Sequence, residues 1–221
     1  MENIKLNFNG KTLHIELSDE ADTSVMREIF KYKEYRCSDQ VIKEAKNPII
    51  DIGAHKGFFT LYAKTINPKA KIIALEPEPK NLKMFEHHMK ENKIKGVKII
   101  HGALAGKTEE RLLEISENSH NHRLGKTGMK IQAYSLNDLM SQNKIDKISL
   151  LKMDIEGGEH EVFDNLTVDD FTRINTVIME YHNVGGKTHR NLEEILRSNK
   201  FKVQIFPSQF DKKMGFLFAH K

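Results

Sequence analysis

From Asn47 onward the chain keeps one rhythm, and that rhythm constrains the fold more than any other feature. Short apolar runs alternate with amphipathic stretches: PIIDIG, a helical stretch from Gly57 to Ile66, KIIALEP, PKNLKMFEHHMKENK, then VKIIHGAL. Strands that alternate with helices at this pace need crossover connections, and crossovers make a parallel sheet. Runs without polar alternation, such as PII and KIIAL, fit a sheet covered on both faces. Asn67-Pro68 stops the first helix, and Pro79 suits the first turn of the second. Further along, ISLLKMDIEG and INTVIMEYH read as strands, and GGEHEVFDNL and HRNLEEILRSN as helices. FKVQIF and MGFLFAH close the chain as an antiparallel pair.

Two stretches depart from the rhythm. Before Asn47, the runs IKLNF and TLHIEL flank Asn9-Gly10, a strong hairpin signal. A helix follows over residues 22–35, with Asp22 or Thr23 as its cap. Residues 1–46 are therefore expected to form an N-terminal hairpin and helix, and residues 47–221 the main domain. Within 105–133, EERLLEIS and KIQAYS read as strands around a long polar loop, ENSHNHRLGKTG, suited to a lid. His120 and His122 in that loop read as solvated residues within reach of a substrate.

Composition excludes several function classes. The 221 residues carry 35 basic and 31 acidic side chains, a net charge of +4, too mild and too mixed to point to nucleic acid. Cys37 is the one cysteine, which excludes an intrachain disulfide and a thiolate metal cluster. The start, MENIKLNFNG, has no basic and apolar leader pattern, and no run is long enough to span a bilayer. The expected location is the cytoplasm.

Chemistry concentrates at the strand ends. DIGAHKGFF follows a strand and opens a helix, the context in which a glycine loop approaches a ligand. The spacing Gly53 to Gly57 breaks the nicotinamide fingerprint, which needs G-x-G-x-x-G. Asp51, two residues before the first glycine, suits a ligand with a cationic sulfonium and an amino-acid end, as in S-adenosylmethionine (SAM). Glu76 ends the second strand, where a carboxylate accepts both hydroxyls of a ribose, and Pro77 turns the chain there. Gly102 at the third strand end permits close approach of an adenine ring, with Ala103 and Leu104 to pack on it. Asp154 and Glu156 add acids at the same edge, which calls for a positive partner or a role in capping the next helix. In IMEYHN, alternation puts Glu180 and His182 on one side of a strand, as an orienter and base or as structural residues. Asp154, Glu156, Glu180 and His182 also offer a ligand set for Mg2+. His87-His88 does not suit a metal, because adjacent helical positions diverge. Tyr32 and Tyr35 precede the sheet and are candidates to line a pocket.

Taken together, DIGAHKGFFTLYA, ALEPEPKNL, HGALAG, LLKMDIEGGEHEVF and IMEYH resemble the FkbM family of SAM-dependent methyltransferases, over roughly residues 24–205. The resemblance implies a class I methyltransferase fold, α/β and Rossmann-like. This is a three-layer sandwich around a seven-stranded, mostly parallel sheet with a terminal antiparallel strand. It implies SAM contacts at Asp51, Gly53, Ala54, His55, Gly57 and Phe58, with ribose and adenine contacts at Glu76, Pro77, Gly102, Ala103 and Leu104. Asp154 is expected beside the methionine end or the transfer site, and His55 stands where family members commonly carry asparagine. The implied reaction is O-methylation of a sugar, glycan or natural-product hydroxyl. For such a reaction His182 is expected to be the base, with Glu180 or Asp154 orienting it. The alternatives are methylation of rRNA or another nucleic acid, and a SAM-binding module without catalysis. DIEG in place of an Asp/Asn-Pro-Pro-aromatic stretch disfavours base amino-group methylation.

Overall fold

The computed structural model describes residues 2–116, 122–209 and 211–221. His120 and part of the polar loop lie outside the described residues. The chain opens with the expected hairpin, β1 (Glu2–Phe8) and β2 (Lys11–Leu17). Asn9 and Gly10 both have positive φ, 47° and 72°, as a tight primed turn requires. Helix α1 (Glu20–Met26) begins earlier than the sequence suggests, because its cap is Asp19, whose side chain accepts from the Asp22 amide. It runs on as a wider π-helical turn, Arg27–Tyr32, and stops at Lys33 in the left-handed conformation. A single 3-10 turn (Arg36–Ser38) and α2 (Asp39–Glu44) lead into the sheet.

The alternation then appears as read: β3 (Ile49–Ile52), α3 (Phe58–Ile66), β4 (Ile72–Glu76), α4 (Pro79–Glu91) and β5 (Val97–His101). After β5 the chain leaves the sheet. Strand β6 (Ala103–Leu104) joins β7 (Glu109–Glu114), β8 (Arg123–Gly125) and β9 (Met129–Tyr134) in a separate sheet of order β6-β9-β7-β8. The sequence reading expects two strands and a loop here. The loop contributes a third strand, β8, held antiparallel to β7. Gly102 is the switch point between the sheets, since a Cβ there would sit 2.7 Å from the Gln132 carbonyl oxygen. The remaining elements are α5 (Leu136–Gln142), β10 (Leu150–Met153), α6 (Glu159–Asp164), α7 (Val168–Arg173), β11 (Thr176–His182), α8 (His189–Ser198), β12 (Lys202–Pro207) and β13 (Met214–His220). Helix α7 has no strong apolar pattern and is started by a capping box between Thr167 and Asp170.

The main sheet has seven strands in the order β12-β13-β11-β10-β3-β4-β5. The block from β11 to β5 is parallel, and β13 runs antiparallel to both its neighbours. This is the class I methyltransferase arrangement, with β13 as the reversed strand. Each face of the sheet has its own core. Ile50, Ile52, Leu151 and Met153 point to one side, against α5, α6, α7 and α8. Ile49 and Leu150 point to the other, against α3, α4 and the N-terminal hairpin, whose Leu13, Ile15 and Leu17 are buried. Period-two alternation therefore sends Asp51 and Lys152 to this second face, and the register sets them directly opposite each other.

Two glycines of DIGAHKG are fixed by packing. A Cβ on Gly53 (φ 69°) would lie 1.7 Å from the Asp154 carbonyl oxygen, and one on Gly57 (φ 82°) would enter the Phe85 ring at 2.2 Å. Gly53→Ala should cost about 3 kcal/mol, because backbone must move as well as adopt a strained φ. Gly185→Ala, at φ 58° with open space around it, should cost about 1 kcal/mol. Urea midpoints at constant slope would measure both, and equal losses would refute the packing account.

Candidate functional site

The carboxyl ends of β3, β4 and β10 open into a cavity of about 460 Å3. Its lining unites most of the residues singled out from sequence. Gly53, Ala54, His55 and Phe58 come from the first loop, Glu76 and Pro77 from the end of β4, Gly102, Ala103 and Leu104 from the sheet switch, and Asp154 and Glu156 from the end of β10. Gly57 does not line it, and its role is the contact with Phe85. Tyr35 lines the cavity, whereas Tyr32 is exposed on the surface. A roof over the mouth comes from the second sheet, through Leu113, Glu114 and His122 to Lys126. That roof is tied down where Arg111 of β7 donates to Glu161 of α6 at 2.9 Å.

Asp51 is fully buried and lies behind the loop, outside the cavity wall. One carboxylate oxygen accepts from the Thr60 hydroxyl at 2.7 Å, and the other is 3.3 Å from Lys152 Nζ. Lys152 also donates to the carbonyls of Ile52 and Gly53, at 3.3 and 2.8 Å. Asp51 thus holds the loop from beneath, and Lys152 links it to the cavity, which it also lines. Lys152 stands in LLKMDIEGGEHEVF, but only the strand register shows its partner.

Glu76 is the carboxylate most fully built into the wall. It accepts from the His55 amide at 2.7 Å, the Glu78 amide at 2.9 Å and the Asn81 side chain at 3.4 Å. Burial, opposed by the Glu78 and His55 amides, pushes its carboxyl up to about 7. Asn81 was not foreseen, because the expected apolar face of α4 gives no hint that this polar position is buried.

Around Asp154 the carboxylates crowd. Glu156 sits in the left-handed conformation at φ 55°, and its carboxyl is pushed up to about 7, first by burial and then by the Asp154 charge. Glu180 is raised well above the usual range by burial and the same neighbour. Neither Glu180 nor His182 lines the cavity, and both stand behind Asp154 and Glu156. His182 Nε2 lies 3.5 Å from Glu156, and Nδ1 lies 3.4 Å from Glu159, an orienting carboxylate not anticipated from the alternation. Burial alone would lower this imidazole. The close approach of Glu159 and the charges of Glu159, Asp154 and Glu156 outweigh it and push His182 up to about 10. At neutral pH His182 is therefore an imidazolium. Ligand atoms of Asp154, Glu156 and His182 lie within 4.8 Å of one another. Away from this cluster, Cys37 has its thiol pushed up to about 11, mainly by burial, which leaves it unreactive at neutral pH. No helix among the described residues is long and apolar enough to cross a membrane.

Comparison with known proteins agrees with this geometry. Residues 51–203 match the family model described as the methyltransferase FkbM domain. Methyltransferase 1 of Beauveria bassiana (strain ARSEF 2860) is 24% identical over 182 residues, covering 71% of this chain and 73% of that protein. Hexuronic acid methyltransferase AglP of Haloferax volcanii is 24% identical over 189 residues, covering 81% of this chain and 76% of its own. Among solved structures, the N-terminal domain of human METTL16 in complex with SAH superposes with a TM-score of 0.51 at 14% identity. It covers 95% of this chain and 75% of that one.

If Glu76 accepts ribose hydroxyls, the ionised carboxylate is the form that binds. Its carboxyl takes up a proton as pH falls through about 7. Affinity for S-adenosylhomocysteine should thus be full above pH 8 and decline by up to tenfold per unit below 7. Calorimetry from pH 5.5 to 8.5 would show this slope, and Glu76→Gln should bind weakly with the slope much reduced.

Proposed function

The chain belongs to the FkbM methyltransferase family and is a SAM-dependent methyltransferase, and from that premise we propose that it O-methylates a hydroxyl of a carbohydrate or similar small molecule. The observation that carries this reading is the placement of Asp154 and Glu156 in one cavity with the Glu76 wall. Adenosine occupies the side of Glu76, Pro77 and Gly102 to Leu104, and the methionine end lies along Gly53, Ala54 and His55, near Asp154. The acceptor enters under the β8 roof, where Lys126 and Arg123, the latter paired with Glu114 at 3.2 Å, line the cavity and offer cationic partners to an acidic sugar. The name of the Haloferax relative, a hexuronic acid methyltransferase, supports the same substrate class.

In the transfer, the acceptor oxygen attacks the methyl carbon in line with the carbon–sulfur bond. That bond breaks with its electron pair going to sulfur, which leaves S-adenosylhomocysteine. SAM supplies an activated methyl group, so orientation is the larger part of the task. A sugar hydroxyl also has to lose its proton. Glu156 is the group placed to receive it, since it lines the cavity and its carboxyl sits at about 7. His182, already protonated, pairs with Glu156 and holds it in place. Glu159 and Asp154 keep that imidazole charged, whereas Glu180, raised well above the usual carboxylate range, adds no such charge.

A second reading is favoured by the three converging ligand atoms of Asp154, Glu156 and His182. A Mg2+ ion there would polarise the hydroxyl and would require His182 to give up its proton. Loss of activity on chelation, restored by Mg2+, would select this reading.

The test is a methyl-transfer screen with labelled SAM over neutral and acidic sugars, small natural products and RNA. Label in a sugar or other small hydroxyl compound is the expected result, and label in RNA alone would overturn the proposal. On the acceptor found, Glu156→Gln should slow turnover about 100-fold or more while S-adenosylhomocysteine affinity stays within threefold. His182→Ala should slow turnover strongly with cofactor binding near normal. It should also move the acidic limb of the rate profile above 7, because Glu156 loses its cationic neighbour. Unchanged turnover in both variants would remove the cluster from the mechanism.

A further inference from the structure

The loop that carries His55 is gripped from outside the sheet. Lys56 is 4% exposed and faces away from the cavity that His55 lines. Its ammonium donates to Asp22 Oδ1 at 2.5 Å, in the first turn of α1, and to the Ser18 hydroxyl at 2.7 Å, in the link from β2 to α1. Asp22 is itself fully buried, and its other oxygen accepts from the Ser18 amide and hydroxyl. The Lys56 carbonyl accepts from His88 Nδ1 at 2.7 Å, and His88 Nε2 accepts from the Glu16 amide of β2 at 3.0 Å. Side chain and backbone of one loop residue are thus both tied to the first 22 residues. The neighbouring His55 amide is the donor to Glu76 at 2.7 Å.

We propose that Asp22 is a positioning residue for the cofactor. Through Lys56, and directly through its Oδ1 3.8 Å from His55 Nε2, it fixes the curvature of residues 53–57, and so the placing of His55 and of the Glu76 carboxylate. On this view the N-terminal hairpin and α1 are part of the SAM site. The inference rests on SAM occupying the cavity described above. It predicts that cofactor affinity depends on a residue that does not touch the cofactor. A buried ammonium and carboxylate also hold each other to one geometry, since neither is stable there without the other.

Asn92 provides the control. It ties the same β2 strand to α4, exchanging hydrogen bonds with His14 at 2.8 Å in both directions, and it does not reach the loop. Calorimetric binding of S-adenosylhomocysteine should weaken about tenfold or more in Asp22→Asn and in Lys56→Gln. In Asn92→Ala it should change less than twofold, even where thermal stability falls equally. If Asp22→Asn does not fold, Ser18→Ala, which removes one partner from each member of the pair, should still weaken binding about threefold. Wild-type binding with all loop variants within twofold would overturn the inference, as would losses that simply follow stability in every variant. Failure of the wild type itself to bind would instead count against SAM in this cavity.

Discussion

The ion pair between Asp51 and Lys152 is the constraint on which the rest of the site depends. It stands at the centre of the sheet, on adjacent parallel strands, in register and out of water. Two such charges are costly to bury, and their mutual attraction repays the cost only when other hydrogen bonds complete the arrangement. Here those bonds are specific. Thr60 at the start of α3 takes one side of Asp51, and Lys152 spends its remaining donors on the carbonyls where β3 ends and the glycine loop begins. The pair therefore joins three elements at one point: the strand before the loop, the helix after it and the strand that delivers Asp154. The contact of Gly53 with the Asp154 carbonyl follows from the same closeness of β3 and β10.

This changes the meaning of the loop motif. Its acid and its two glycines read at first as ligand contacts. Asp51 works from beneath, Gly53 makes room for neighbouring backbone and Gly57 for the Phe85 ring. The side chains turned toward the cavity are those between and after the glycines: Ala54, His55 and Phe58. Asp51 and the two glycines set the shape of the loop, and Ala54, His55 and Phe58 present it to the cavity.

Much of the main sheet was legible because each strand is an apolar run closed by a polar residue at its carboxyl end, and one edge of the sheet collects all those ends. Glu76, Gly102 and Asp154 could be placed together on that logic alone. What could not be read depends on partners distant in sequence. Nothing in PKNLKMFEHHMKENK shows that His88 is buried between the glycine loop and β2, or that Asn81 reaches Glu76. Alternation placed Glu180 and His182 together, but the nearest carboxylates to His182 come from the turn after β10 and from the start of α6. The loop was legible as a lid, but the strand within it was not, for a different reason. Strand β8 is three residues long, and its pattern RLG has too little periodicity to separate it from a loop.

The crowding of carboxylates near Asp154 has a consequence for the proposed chemistry. Acids beside a sulfonium stabilise SAM more than the transition state, in which the positive charge on sulfur is disappearing. Fixed negative charge alone would therefore slow the transfer. The cost is offset if a carboxylate accepts the acceptor's proton as sulfur becomes neutral. One positive charge then leaves sulfur while one negative charge is quenched on Glu156, and the net charge of the cavity is unchanged. A carboxyl held at about 7 suits this exchange, since it is ionised for a useful fraction of the time and basic enough to keep the proton. Burial and the Asp154 charge raise Glu156 to that range, and the imidazolium of His182 works against them.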